Sequence, residues 1–89
     1  MQEKALFERY DFTPLPYRPD VYERDGGRRL YRIKKYGEMW MLTIFSRHRS
    51  CLSQVGPRHV FYQAEHAADF VQRNIEQSKK TEYTEYLGT

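Results

Sequence analysis

The sequence predicts an α+β protein: a three- to four-stranded antiparallel sheet, one main C-terminal helix, and an extended N-terminal arm rich in Pro and aromatic residues. Three observations carry this. Arg28 to Phe45 holds two runs of alternating side chains around a glycine-bearing turn. Ala64, Ala67, Ala68, Val71 and Ile75 recur at helical spacing. Pro14, Pro16 and Pro19 punctuate a segment that still carries Phe12, Leu15, Tyr17, Val21 and Tyr22.

Taken in order, Leu6, Phe7 and Tyr10 mark one face of a short helix across Glu3 to Tyr10. The three prolines then forbid regular helix and favour an extended path. The arm is too apolar to hang free and is expected to lie against the domain, up to the Asp25-Gly26-Gly27 turn signal. Arg28–Lys35 and Glu38–Phe45 read as a hairpin with Tyr36-Gly37 as its two-residue loop. That loop sets Lys35 opposite Glu38, Ile33 opposite Trp40, Tyr31 opposite Leu42 and Arg29 opposite Ile44. One face then reads Tyr31, Ile33, Trp40, Leu42, Ile44 and forms a core. The other reads Arg28, Leu30, Arg32, Lys34, Met39, Met41, Thr43, Phe45. Ser46 to Ser50 is a polar, basic loop. A third strand follows in Cys51–Val55, in His59–Tyr62 after the Gly56-Pro57 turn, or split across both. The helix then covers the core face, with Asp69–Arg73 and Glu76–Lys80 as i,i+4 pairs on its wet side. The divisions are an arm (1–27), a sheet (28–62), a helix (63–79) and a tail (80–89) that frays or docks through Tyr83, Tyr86 and Leu87.

With 89 residues the chain makes one small domain that buries roughly 60–65% of its unfolded surface. An aromatic content of 16% excludes the disordered class. Cys51 is the single cysteine and fits a reducing, cytoplasmic setting. No apolar run approaches a membrane span, and no signal-peptide core follows Met1, so neither a membrane partner nor secretion is expected.

Charge is sorted along the chain. Arg28 to Arg58 holds eight bases against one acid, Glu38, whereas residues 1–27 hold four against six and residues 59–89 three against five. A net of +7 between two segments of −2 gives the overall +3, a pattern that favours an anionic partner. The expected contacts are Arg28, Arg32 and Lys34 on the basic sheet face, the concentrated charge of Arg47 and Arg49, and Arg58. Arg and Lys neutralise phosphates while flat neighbours stack on bases. The plainer reading is that Leu30, Met39, Met41 and Phe45 pack under the arm and the basic stems extend outward.

Catalysis has little to stand on. His48, His59 and His66 match no compact metal signature. His48 with His59 could in principle act as an acid–base pair in RNA cleavage, but nothing in their spacing demands it. Gly26-Gly27 lacks the Lys-Ser/Thr and opening helix of a phosphate loop. No cofactor, metal or catalytic residue is expected.

The run from Leu30 to Phe45 (LYRIKKYGEMWMLTIF), followed by Val60 to Phe70 (VFYQAEHAADF), resembles in outline the AP2-type plant DNA-binding domain and the arm-binding domains of integrases. The resemblance implies that strands rather than the helix approach DNA, with Arg28, Arg32 and Lys34 as contacts. Here the loop from Arg47 to Pro57 is irregular and the strands are less basic than in that family. In size and compact sheet–helix plan the chain also resembles small phage and plasmid accessory proteins, including anti-CRISPR and host-takeover inhibitors. That likeness implies a stoichiometric binder. The expected function is a non-catalytic intracellular inhibitor that blocks host machinery handling nucleic acid, its basic surface meeting either an acidic groove of a host protein or nucleoprotein complex or the nucleic acid itself. A DNA- or RNA-binding domain is the alternative, and a small ribonuclease-like enzyme the third.

Overall fold

The computed structural model describes the backbone of residues 2–88 and the side chains of residues 3–79. Helix α1 (Gln2–Arg9) precedes six strands, β1 (Thr13–Leu15), β2 (Arg18–Asp25), β3 (Arg29–Tyr36), β4 (Met39–His48), β5 (Cys51–Gln54) and β6 (His59–Phe61), and helix α2 (Ala64–Gly88) closes the chain. The strands form one antiparallel sheet in the order β1-β2-β3-β4-β5, with β6 also on β4.

The α+β class, the antiparallel sheet and the C-terminal helix are as expected, but the sheet is larger. An extended N-terminal arm is not seen: its residues form α1 and two strands that widen the sheet. Pro14 sits on edge strand β1, where a missing N–H is tolerated. The third strand is split across both expected segments. β5 pairs with Phe45–His48 of β4, and β6 with Trp40–Leu42. The ten residues of β4 give room for both. Consequently the basic loop expected from Ser46 shrinks to Arg49-Ser50, because Ser46, Arg47 and His48 are paired with β5.

The β3–β4 hairpin keeps the expected faces but not the expected register. Lys35 lies opposite Trp40, Ile33 opposite Leu42, Tyr31 opposite Ile44 and Arg29 opposite Ser46, so the loop is Gly37-Glu38. Gly37 takes φ 60°. A glycine at the first loop position fits a primed turn, whereas a Tyr36-Gly37 loop would have put a tyrosine there. The slip is two residues. It preserves which side chains share a face.

Both helices pack on the same face. Tyr22, Tyr31, Ile33, Trp40, Leu42 and Ile44 of the sheet meet Phe7 of α1 and Ala67, Ala68, Val71 and Ile75 of α2 in one cluster. Phe7 is fully buried, stacking on Tyr22 at 4.4 Å and meeting Trp40 edge-on at 5.1 Å. The two alanines of α2 let the helix approach the strands closely. Polar ties flank the cluster: Tyr31 donates to Asn74 Oδ1 at 2.6 Å, and Arg24 donates to Gln72 Oε1 at 2.6 Å. Burial pushes the Tyr31 hydroxyl pKa above its ordinary value. α2 begins as expected but continues as helix past residue 79 to Gly88. The expected docking of Tyr83, Tyr86 and Leu87 lies outside the described side chains.

Candidate binding surface

With both helices on one side, the other face of the sheet is left open. Strand alternation puts Glu23, Arg32, Lys34, Met41, Thr43 and Phe45 there, and the register lines them up in rows. One row runs Val21, Lys34, Met41, Val60 and the next Glu23, Arg32, Thr43. Tyr36 and Met39 pair at the hairpin end of this face. Tyr36, Met39 and Val60 are 47, 37 and 48% exposed, a run of large apolar side chains in solvent, whereas Tyr62, past the end of β6, lines a hollow on the helix side with Leu6, Arg9 and Trp40. Lys34 holds its ammonium 4.8 Å from the centre of the Tyr36 ring. Val21 and Leu30 are buried on this side without a covering helix. Lys34 is the cross-strand neighbour of Val21, and Arg32 stands two residues from Leu30 on the same face.

The six expected contact residues do not form one band. Arg32 and Lys34 stand mid-face. Arg32 donates to Glu23 at 2.6 Å and lies 5.0 Å over the Phe45 ring. Arg28, Arg47 and Arg49 gather at the far end of the sheet, where Arg47 N–H donates to the Arg28 carbonyl at 2.8 Å. Arg47 also pairs with Asp25 at 2.8 Å. Both that bond and the Gly27 N–H hold the Asp25 carboxyl below its ordinary pKa. Arg49 occupies the tip of the β4–β5 hairpin with φ 57°, a left-handed conformation uncommon for a non-glycine residue. Arg58 is exposed on the connection from β5 to β6, at the sheet's edge. The charge sorting of the sequence is thus partly undone in space. β2 lies beside β3 and brings Glu23 and Asp25, acids of the N-terminal segment, onto Arg32 and Arg47.

Tyr36 and Val60, exposed on the open face, were not among the expected contacts. Tyr36 was hidden by its assignment to the turn. Extending the Arg32–Lys34 alternation by one step would have found it. His48 and His59 are not assembled as a pair: His59 stands opposite Leu42, while His48 ends β4, about 20 Å further along at roughly 3.3 Å per residue. His59 instead tilts against Phe70 at 4.9 Å. Among the described residues no cluster of three or more His, Cys, Asp or Glu could hold a metal ion, and no helix is long and apolar enough to cross a membrane.

Comparison with protein-family models, curated proteins and solved structures finds no match.

Proposed function

We propose that this is a non-catalytic intracellular binding protein of the accessory-inhibitor kind, which docks its open sheet face on a host protein that handles nucleic acid. The supporting observation is the uncovered face itself, which sets Tyr36, Met39 and Val60 in solvent on the same side as Lys34 and Arg32. Aromatic residues, Met and Arg are enriched in protein interfaces. Two of the basic side chains already have acidic partners, Glu23 and Asp25, which leaves less unpaired charge for phosphates. Such a face favours a protein surface with an acidic rim over bare nucleic-acid backbone.

Direct binding of DNA or RNA is the second reading. It is favoured by the gathering of Arg28, Arg29, Arg47 and Arg49 at one end of the sheet. One experiment separates the two. Tagged protein purified from host lysate should retain its partner after nuclease and high salt, with an absorbance ratio of pure protein. Loss of the partner on nuclease treatment would replace the first reading with the second. For nucleic acid, log K against log salt should fall with a slope of about 0.9 per phosphate contact.

A further inference from the structure

The two edges of the sheet are not alike. β1 ends it on one side with three residues, one of them Pro14, which has no N–H to offer a further strand. β5 ends it on the other, and all four of its residues, Cys51 to Gln54, are exposed. None of them is a proline or a charged residue, the usual guards of an edge. The ladder shows which groups are unused. His48 pairs with Cys51 across the Arg49-Ser50 turn, and the Val55 N–H donates to the Ile44 carbonyl at 2.8 Å. Antiparallel pairs alternate, so Cys51, Ser53 and Val55 bond inward to β4, while Leu52 and Gln54 turn their N–H and C=O groups outward.

Beyond Val55 the chain bulges over residues 56–58 before returning to β4 as β6. Arg49 on the turn and Arg58 on the bulge therefore flank β5 at its two ends. Both are exposed, and neither has an ion pair among the described residues. From Met39 to Ala64 the sequence holds no Asp or Glu. α2 runs away from this edge: Phe70 meets Phe61 of β6, Gln72 accepts from Arg24 of β2, and Ile75 lies against Gly26. We propose that the β5 edge takes an extended acidic segment of a partner protein, added as a strand outside β5. Main-chain bonds to Leu52 and Gln54 hold the segment, and acids at its two ends, over Arg49 and Arg58, select it. A second copy fits less well, because pairing two β5 strands would bring two basic, acid-free edges together. This edge is separate from the open face and does not depend on the function proposed for that face.

Nuclear magnetic resonance titration of the isotope-labelled full chain tests the edge with a capped peptide of alternating Val and Thr closed by Glu at both ends, and with its counterpart closed by Lys. The Glu-ended peptide should shift the Leu52 and Gln54 amides saturably, and the Lys-ended one should bind about tenfold more weakly. Leu52→Pro removes an N–H that β4 does not use, so it should abolish binding and keep the fold. If that variant does not fold, Arg49→Glu combined with Arg58→Glu decides the matter by reversing the preference to the Lys-ended peptide. Lys34→Glu on the open face should change neither affinity. Absence of saturable shifts at Leu52 and Gln54, or equal binding of the two peptides, overturns the proposal. Concentration-dependent shifts of the same amides without peptide also overturn it, in favour of a second copy on the edge.

Discussion

The two faces of this sheet are drawn from the same strands and have opposite characters. On the covered face Tyr31, Ile33, Trp40, Leu42 and Ile44 are all buried, and no buried side-chain polar atom among the described residues lacks a partner. One residue away in each direction, the open face alternates Arg32, Lys34, Met39, Met41 and Thr43, tied by the Arg32–Glu23 ion pair and by cations over rings. Exposed ion pairs contribute about 0–1 kcal/mol, against roughly 1.5–3 kcal/mol for burying a large apolar side chain. Most of the buried apolar surface therefore lies on the covered face, with Val21 and Leu30 as the buried exceptions on the other.

That contrast breaks if core and open-face substitutions have similar costs. Trp40→Ala should cost about 3–5 kcal/mol and Leu42→Ala about 2–5 kcal/mol in chemical denaturation. Met39→Ala, 37% exposed at the other face, should stay within about 0.5 kcal/mol. In a chain this small the first two approach the whole stability.

Gly26→Ala probes how tightly the helix side is built. A Cβ there would lie 2.8 Å from Tyr31 Cε2 and 3.3 Å from both the Arg29 carbonyl oxygen and Ile75 Cγ1. The expected cost is about 1–3 kcal/mol, read as a lower melting temperature. A neutral result would mean that the turn and α2 are loosely joined. Arg49→Gly tests the opposite end of the scale. Relief of the left-handed strain, less the entropy that glycine loses on folding, should raise stability by about 0.5–1 kcal/mol.

The smallest effect concerns Asp25. Its carboxyl is held below the ordinary value by the Arg47 bond first and the Gly27 N–H second. A lowered folded-state pKa adds stability that is fully present above the unfolded pKa and is lost as pH falls through the folded one. Asp25→Asn should remove this part of the acid dependence. Melting curves of both proteins over the acid range, in low and high salt, measure it.

Much of this arrangement was legible in the sequence. Periodicity showed α1, the start of α2 and the membership of both hairpin faces, and the turn at Gly56-Pro57 allowed for a split third strand. The register was not, because Tyr36-Gly37 and Gly37-Glu38 are both two-residue loops and their two-residue difference leaves every side chain on the same face. β2 was hidden for another reason. Its apolar residues, Val21 and Tyr22, are adjacent and bury on opposite faces, so no alternation marks the strand. Without β2 the basic segment looked unopposed. Counting charge along the chain could not show that Glu23 lies across from Arg32 or that Asp25 reaches Arg47.

The claim that the open face is the working surface is tested most directly by a triple variant, Lys34→Glu with Tyr36→Ala and Met39→Ala. Its melting temperature and its capture of the wild-type partner from nuclease-treated lysate are measured side by side with the parent protein. The account predicts an unchanged fold, a melting temperature within a few degrees of the parent, and loss of the partner. Partner retention at parental strength in the folded variant would contradict it.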